Sequence, residues 1–367
     1  MVNLLIIQRF FPSFREGLFD KVAENKNVKL ICSSHQPGKI VHPDSINSKS
    51  YVQQIFSFIF RGSIVIFPSL FFELIKLKPK YIVTEGGSNT VNNLSVWFYS
   101  KLFKSEYAIW DLGRAYKGTE RISFIRSIYN RIYRKILDDA SYVYVYNAVG
   151  KEYFSTSIAS NKIVNLKNTV DTSLILDLKN EKNEGDLDKL QTKLQVYQNV
   201  VLYVGSVNPH KKLESLKDIL EQLSDDSCLI IVGGGDNAYI AKLRSYLGNN
   251  NRVYFEGYKK VTELPPYYHV ADFVILPGLG GLSINQAMAF NKPVVCSIAD
   301  GGEKELVKNY KTGFLYSSTF DAVEFINRQT KNDWRVMGKN AEELIYERYS
   351  IDNMVYNFLS ITHKRVG

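Results

Sequence analysis

Short apolar runs alternate along the chain with stretches whose apolar residues recur at helical spacing. This alternation is typical of α/β domains built on parallel sheets. In the first half the predicted strands are Asn3–Gln8, Val28–Ser33, Tyr81–Val83, Tyr107–Trp110, Tyr142–Tyr146 and Lys162–Leu166. In the second half they are Asn199–Val204, Cys228–Val232, Val253–Phe255, Phe273–Leu276, Val294–Ser297 and Gly313–Leu315. Helices are predicted between them, for example at Phe14–Glu24 and Ile122–Leu137.

The length of 367 residues predicts two domains, because a single hydrophobic core rarely grows this large. The boundary is expected between Asp171 and Gln198, where residues 181–186 are polar and charged as linkers are. We therefore predict one α/β domain over residues 1–172 and a second over residues 173–349. The terminal segment 350–367, helical over Ile351–Ile361, is expected to pack back on the first domain.

Three features bear on the cellular compartment. The three cysteines are widely spaced, which indicates a reducing compartment without a disulfide framework. The N-terminus lacks the order of a signal peptide. The apolar stretch Ile64–Phe72 contains Pro68 and is far shorter than the roughly 20 residues of a membrane span. It is interpreted as a buried helix or loop, or at most an interfacial patch. A cytoplasmic protein is expected, with peripheral attachment to the inner face of the membrane left open.

Positive charge is concentrated in the first half. Residues 1–172 carry 23 Lys and Arg against 13 Asp and Glu, so this half supplies the whole net charge of +9. Such asymmetry predicts an anionic partner, either membrane lipid, a phosphorylated acceptor or nucleic acid, unless it is only a solvated lysine-rich surface. No nucleic-acid-binding module is present in the sequence, so nucleic acid is not predicted as a partner.

One predicted helix is both amphipathic and basic. Its apolar face consists of Ile122, Ile125, Tyr129, Ile132 and Ile136, and its basic residues are Arg121, Arg126, Arg131, Arg134 and Lys135. Such a helix can lie on an anionic membrane, but more often its apolar face packs on its own domain. Packing on its own domain is the favoured interpretation.

The glycine-rich turn after the strand ending at Leu276 is the most informative feature of the second half. The turn begins at Pro277, a short helix follows, and a second apolar strand begins near Pro293. In a parallel sheet such a turn lies at the carboxyl end of the strand, where ligands bind. The amides at a helix N-terminus favour an anion such as a diphosphate. The turn therefore indicates a nucleotide-linked ligand.

Six ordered segments of the second half carry a resemblance to a known family. They are residues 203–212, 229–236, 253–258, 277–295, 301–307 and 312–315. In this order they resemble the nucleotide-sugar half of GT-B glycosyltransferases, specifically the retaining enzymes of family 4. The resemblance is fainter at residues 168–171 and 8–15. It implies two Rossmann-like domains facing each other across a cleft, the second binding the sugar donor and the first the acceptor.

The resemblance also implies a site for the donor diphosphate. Lys211 matches a lysine that contacts the diphosphate, whose charge must be offset as the bond to the sugar breaks. The amides of Gly281, Leu282 and Ser283 would cap the same diphosphate. Ser206 takes the place of an arginine that commonly accompanies the lysine, and it is included in this predicted site.

Further donor contacts follow from the same match. Gly257 and Tyr258 match the loop that holds the nucleobase, and Gln286 is placed where its amide could bind ribose hydroxyls. The donor sugar is assigned to the glycine-rich turn, at Gly278, Leu279 and Gly280.

The chain departs from the family at several of these positions. Two glutamates eight positions apart are usual in the family, and the matching residues are Gly278 and Gln286. Gly278 cannot replace a carboxylate that supports the donor sugar. Lys212 replaces a usual glycine and is expected to point to solvent.

In the first domain, Leu112 occupies the position of a histidine found in many family members. The neighbouring Asp111 and Arg114 are candidate catalytic residues that could take over its orienting or charge-stabilising role, together with Lys211 of the second domain. Phe11 and Arg15 are the candidate acceptor-binding residues.

The sequence thus predicts a GT-B glycosyltransferase of the hexosyltransferase type. It would move a sugar from a UDP- or GDP-linked donor to a saccharide or lipid-linked saccharide in cell-surface polysaccharide synthesis, with retention of configuration. No metal site and no cofactor are predicted, since the five histidines lack metal-ligand spacing and the family does not need a bound metal. The alternative is a catalytically inactive GT-B-like partner subunit or sugar-nucleotide-binding protein.

Overall fold

The computed structural model describes residues 2–24, 27–35, 45–60, 64–113, 124–181, 184–247 and 251–363. The chain divides into two compact units. The first consists of Met1–Asn168 with Ile351–Gly367, and the second of Thr169–Ser350.

The first unit is built on a parallel sheet of seven strands in the order β3-β2-β1-β6-β7-β8-β9. A separate antiparallel pair, β4 and β5, follows the edge strand in the chain. The strands are β1 (Leu4–Ile7), β2 (Val28–Ser33), β3 (Val52–Ile55), β4 (Phe58–Phe60), β5 (Ile64–Ile66), β6 (Tyr81–Glu85), β7 (Glu106–Asp111), β8 (Tyr142–Val145) and β9 (Ile163–Asn165). The helices are α1 (Glu16–Ala23), α2 (Leu70–Leu77), α3 (Thr90–Phe103), α4 (Phe124–Asp139) and α5 (Ala148–Ser155).

The second unit is built on a parallel sheet of six strands in the order β12-β11-β10-β13-β14-β15. The strands are β10 (Asn199–Val204), β11 (Ser227–Val232), β12 (Val253–Gly257), β13 (Phe273–Leu276), β14 (Val294–Ser297) and β15 (Gly313–Tyr316). The helices are α6 (Thr172–Asn180), α7 (Glu184–Leu194), α8 (Leu216–Gln222), α9 (Asn237–Leu247), α10 (Pro265–Val270), α11 (Leu282–Ala289), α12 (Glu303–Leu306), α13 (Thr319–Asn327) and α14 (Lys331–Arg348).

Both sheets have the strand order of a doubly wound Rossmann fold, which confirms the predicted α/β class. The order reverses between β1 and β6 in the first unit, where Leu4 pairs with Tyr81. It reverses between β10 and β13 in the second, where Val201 pairs with Phe273. At such a point the loops leaving neighbouring strands turn to opposite faces, and a crevice opens at the carboxyl ends.

All predicted strands are present, with ends shifted by at most two residues. The interpretation of Ile64–Phe72 as a single buried helix or loop is wrong. Its first three residues form β5, which pairs with β4, and α2 begins only at Leu70. Pro68 lies between the two elements. Its fixed φ and missing N–H prevent the strand from continuing. Strands β3 and β4 were not predicted.

The amphipathic helix α4 packs its C-terminal half on the core of its own unit. Ile136 is buried there, and Ile132 and Tyr133 are partly buried against the same core. Ile128 is exposed, so the apolar face is only partly covered. Ile122 lies outside the described residues, and the side chain of Ile125 is also outside them.

The terminal helix α15 (Ile351–Phe358) belongs to the first unit. Ile351, Met354 and Phe358 recur at helical spacing and are buried in the core beside β1 and β8. The hydroxyl of Tyr144 on β8 donates to the carbonyl oxygen of Phe358 at 2.7 Å and accepts from the amide of Ile361 at 3.1 Å. The end of α15 is therefore fixed to the sheet by a buried hydroxyl.

Replacing this hydroxyl tests how firmly the terminal helix is held. Tyr144→Phe is expected to lower the free energy of unfolding by about 1–3 kcal/mol, because two buried backbone groups lose their partner. Urea unfolding followed by circular dichroism measures the change. Tyr153→Phe removes a hydroxyl from an exposed side chain and serves as the control. An unfolding midpoint equal to that of the control would show that the bonds do not hold the helix.

Candidate functional site

In the second unit the loops after β10, β11 and β12 are joined by backbone hydrogen bonds. The amide of Val207 donates to the carbonyl oxygen of Gly234 at 2.8 Å. The amide of Gly233 donates to the carbonyl oxygen of Gly257, also at 2.8 Å. These contacts fix three strand ends into one rim of the crevice at the strand-order reversal.

The loop after β10 carries Ser206 and Lys211. Asn208 caps a short 3₁₀ turn over Pro209–Lys211, and its side-chain amide donates to Ser206 Oγ at 2.9 Å. The chain then passes through Lys212, which has a left-handed backbone (φ 50°) and an exposed side chain. A left-handed backbone favours glycine, which accounts for the glycine usual at this position in the family that the sequence resembles.

The side chain of Lys211 crosses from this loop to the turn after β13. Its Nζ donates to the carbonyl oxygen of Leu279. Burial lowers the pKa of Lys211 below the ordinary lysine value, and the nearby Asp300 carboxylate opposes that shift. The two loops on either side of the strand-order reversal are thus linked by a half-buried cation.

Gly278 meets the same loop through its backbone. A Cβ placed on Gly278 would lie 2.5 Å from the carbonyl oxygen of His210 and 2.7 Å from that of Lys211. No side chain fits at Gly278 while the loop stays in this position. The backbone of residues 210–211 therefore fills the space beside Gly278 that a glutamate side chain would need.

Helix α11 begins directly after this turn. Gly281 has φ 57° and ψ −140° at its N-cap, a conformation that requires glycine. Leu282 and Ser283 form the first turn, and a Cβ placed on Gly205 would lie 3.2 Å from Ser283 Oγ. Gln286 follows one turn later and is half-buried. The free amides of α11 therefore lie beside the carboxyl end of β10.

The predicted base-binding residues lie farther along the same rim. Gly257 ends β12 with φ 71°, and Tyr258 after it is 61% exposed. A Cβ placed on Gly234 would lie 3.2 Å from the Cβ of Tyr258. Tyr258 therefore stands beside the glycine-rich loop after β11 with its ring open to solvent.

Sequence reasoning missed the two carboxylates after β14. The buried Glu303 accepts hydrogen bonds from the amides of Ala299 and, at 3.2 Å, Gly301. Asp300 accepts from the amide of Gly302 at 3.0 Å and acts electrostatically on Lys211. The signal was available, since both acids follow a predicted strand at its carboxyl end.

The first unit gathers a separate polar cluster at the carboxyl ends of β1, β6, β7 and β8. At the strand-order reversal, Glu85 Oε2 accepts from the backbone amide of Arg9 at 2.8 Å and from its Nε at 2.9 Å. This ion pair is only partly exposed. It joins β1 to β6 as Lys211 joins the corresponding loops of the second unit.

Arg15 is buried within this cluster. Its guanidinium lies 4.3 Å from the Trp110 ring centroid and 5.1 Å from that of Tyr146, and it donates to Asn168 Oδ1 at 2.9 Å. Burial lowers the pKa of Arg15, while Tyr146 and Glu85 act in the opposite direction. Phe11, by contrast, lies entirely in the core, so the structure does not bring its ring to the cluster.

Asp111 lies at the end of β7 with both carboxylate oxygens engaged. Oδ1 accepts from the amide of Gly113 at 2.9 Å, and Oδ2 accepts from the hydroxyl of Tyr133. Burial and the Asp111 charge raise the pKa of Tyr133 well above its ordinary value, so this phenol remains a donor. Leu112 is exposed. Arg114, the other predicted catalytic residue of this unit, lies outside the described residues.

The described residues offer neither a metal-binding cluster nor a membrane-spanning helix. They contain no group of three or more His, Cys, Asp and Glu side chains placed to hold a metal ion. Within the same ranges, no helix has the length and apolar character needed to cross a bilayer.

Comparison with known proteins identifies the class. Residues 186–344 match the family described as "Glycosyl transferases group 1". HepE from Anabaena in complex with UDP has a similar structure, with a TM-score of 0.74, 18% identity and coverage of 99% of both chains. Sucrose-phosphate synthase from Thermosynechococcus elongatus is also similar, with a TM-score of 0.72, 18% identity and coverage of 99% of this chain and 98% of that one.

A third similar structure is the lipopolysaccharide outer core galactosyltransferase WaaB in its apo form, with a TM-score of 0.69, 16% identity and coverage of 99% of both chains. No curated protein sequence matches the chain. The matched family and the shared fold together indicate a GT-B glycosyltransferase, which confirms the predicted class and the prediction that the protein is a transferase. Its second unit carries the glycosyl transferases group 1 domain.

The close approach at Gly278 gives a direct test of this site. Gly278→Ala is expected to lower the free energy of unfolding by about 1–3 kcal/mol, because the new methyl group would overlap the backbone of residues 210–211. Thermal or urea unfolding measures the loss. Gly185→Ala is the matched control, since a Cβ there meets no atom within 4 Å. If both variants are as stable as the parent, the two loops are not in contact.

Proposed function

We propose that this glycosyltransferase moves a sugar from a nucleoside diphosphate sugar, with UDP the first candidate and GDP the second, to a saccharide or lipid-linked saccharide. The donor class is supported by HepE, whose crystal structures hold UDP and UDP-glucose. A role in surface polysaccharide synthesis is supported by WaaB and by WaaG, described as involved in lipopolysaccharide biosynthesis. Retention of configuration is inferred from the family that the sequence resembles.

The observation that carries the proposal is the position of Lys211 at the strand-order reversal of the second unit. Its ammonium is held against the turn that leads into α11, whose first amides have no intrahelical acceptor. A cation beside a helix N-terminus is a site for a diphosphate. Transfer adds negative charge to the leaving phosphate, so a fixed cation there stabilises the transition state more than the ground state.

The remaining donor groups follow from the rim of the same sheet. Gly257 and Tyr258 would hold the nucleobase, with the exposed tyrosine ring available for stacking. The half-buried Gln286 would bind the ribose hydroxyls. Leu279 and Gly280 would face the sugar through their backbones.

Acceptor binding is assigned to the polar cluster of the first unit. Asp111 is held by two donors, so its carboxylate is fixed in position as an acceptor for a sugar hydroxyl. Arg15, fixed by stacking, contributes a buried positive charge to the same strand ends. The lipid-linked form of the acceptor and a place at the inner face of the membrane are supported by the positive charge of residues 1–172.

Removing the Lys211 ammonium tests the donor site. Lys211→Ala is expected to reduce nucleotide release from the productive sugar nucleotide on the order of 10²-fold, because the leaving diphosphate loses its cation. The assay screens UDP-, GDP-, ADP- and dTDP-sugars, with and without membrane extract as the acceptor source. Thermal shift with UDP measures binding separately.

Lys212→Ala is the control, because it removes a neighbouring lysine at a position whose backbone is left-handed with either residue. Lys211→Arg should recover part of the activity, since it keeps the charge. Burial lowers the pKa of Lys211, so its ammonium loses its proton at a lower pH than an exposed lysine does. UDP binding should therefore weaken at a pH below the ordinary pKa of lysine. Near-normal activity of Lys211→Ala would show that the diphosphate lies elsewhere.

Asp111→Asn tests the assignment in the first unit. Turnover is expected to fall about 10²-fold, because the neutral amide cannot accept and orient a hydroxyl as the carboxylate does. The thermal shift caused by UDP should be unchanged. Asp138→Asn, an exposed aspartate on α4, is the control. A weakened UDP response without a turnover defect would contradict the assignment.

A further inference from the structure

Helix α3 presents an apolar face to solvent. Its inner side is buried through Val96 and Tyr99. Its outer side carries Val91, Leu94, Phe98 and Leu102, which recur at the spacing of a single helical stripe. Phe98 is 52% exposed and Leu102 is 57% exposed. A surface helix normally places polar residues on this side, so the stripe marks a contact surface.

Helix α2 extends this surface. Leu70 and Leu74 face the core, whereas Phe72 and Ile75 face outward, and Phe72 is 72% exposed. The two helices are neighbours, and the Phe71 and Phe98 rings lie 5.8 Å apart. We call the outward residues of these helices the α2–α3 face; they are Phe72, Ile75, Val91, Leu94, Phe98 and Leu102.

The β4–β5 hairpin carries a second apolar row close to the start of α3. Phe56 lies just before β4, and Phe58 and Phe60 lie on it. All three are at least half exposed, and the centroids of successive rings lie 5.0 and 6.5 Å apart. Asn92 of α3 fixes this hairpin, because its side chain donates to the carbonyl oxygen of Val65 and accepts from the amide of Phe67. The aromatic row is therefore attached to the same helix.

The charge around the α2–α3 face is positive. Residues 64–105 contain five lysines and two acids. All five lysines are exposed; they are Lys76, Lys78, Lys80, Lys101 and Lys104. Glu85 pairs with Arg9, and Glu73 accepts from the neutral amide of Gln53. Lys101 pairs with Asp139 at 3.1 Å, so within the described part of the chain the other four lysines supply the unpaired positive charge.

The lysines at the ends of the two helices lie close together. Lys78 ends α2 and Lys104 ends α3, each with a left-handed backbone. The residues that follow them meet, since Ser105 Oγ donates to the carbonyl oxygen of Pro79 at 2.7 Å. One end of the apolar face is therefore bordered by cations.

We propose that the α2–α3 face docks on an anionic lipid bilayer, with its aromatic and aliphatic side chains in the interfacial layer and the lysines at the lipid phosphates. Aromatic residues favour that layer, and each basic residue near an anionic surface adds attraction. Self-association through this face is disfavoured, because a two-fold contact would bring like-charged borders together. The proposal rests on the part of the proposed function that places the enzyme at the inner face of the membrane, and it is independent of the residues assigned to donor and acceptor.

Vesicle co-sedimentation of the full chain tests the proposal without substrate. The protein should bind vesicles of phosphatidylcholine with about 30% phosphatidylglycerol and bind pure phosphatidylcholine at least about tenfold more weakly. Raising the salt to about 0.5 M should weaken binding to the anionic vesicles. No binding to anionic vesicles would overturn the proposal.

Two variants separate the apolar and charged contributions. Phe72→Ser with Phe98→Ser should weaken binding to the anionic vesicles at least about tenfold, because two aromatic side chains are lost from the interfacial layer. Lys76→Glu with Lys104→Glu should remove the preference for anionic vesicles. The matched controls, Phe320→Ser with Val336→Ser and Lys311→Glu with Lys339→Glu, alter exposed residues of the second unit and should bind normally.

Circular dichroism establishes that each variant is folded, and UDP thermal shift establishes that the donor site is unaffected. Equal binding by the α2–α3 variants and their controls would overturn the proposal. Concentration-dependent dimerisation that the Phe72→Ser/Phe98→Ser variant abolishes, without vesicle binding by the parent, would assign the face to a second copy instead. Either failure leaves the proposed sugar transfer intact, because no donor or acceptor enters the assay.

Discussion

The reversal of strand order in each parallel sheet is the constraint on which the rest of the structure depends. Where β10 meets β13, the two departing loops turn to opposite faces and leave a crevice between them. In the second unit the side chain of Lys211 spans that crevice and donates to the carbonyl oxygen of Leu279. At the corresponding point of the first unit, Arg9 forms an ion pair with Glu85. In each unit the reversal of strand order therefore coincides with a charged side chain at the carboxyl ends of the strands.

Much of this architecture was predictable from local pattern. Strands such as Val28–Ser33 and Asn199–Val204 are mostly apolar, because a parallel strand is covered on both faces, and they were located to the residue. The β4–β5 hairpin escaped because its outward side chains are phenylalanines, which hide the alternation of a half-exposed strand. Pro68 was visible, but its role in separating a strand from a helix depends on pairing with Phe58–Phe60.

The candidate site was predictable in part, for a physical reason. Residues that act through the backbone of a local turn, such as Gly281 at the N-cap of α11, leave a signature in a few adjacent letters. Contacts between distant segments do not. The packing of Gly278 against the backbone of Lys211 and the hydroxyl of Tyr133 on Asp111 both require the folded sheet. Phe11 illustrates the converse, since its neighbours suggested a binding loop whereas its side chain completes a core.

The contact at Gly278 also constrains how this sequence can change. A carboxylate cannot be introduced at this position by one substitution, because the backbone of residues 210–211 occupies the space. Any side chain at that position requires the loop to move first, and moving the loop displaces Lys211. The close packing therefore has a consequence for design: an acidic group beside this turn has to come from another strand end, such as the one that carries Asp300.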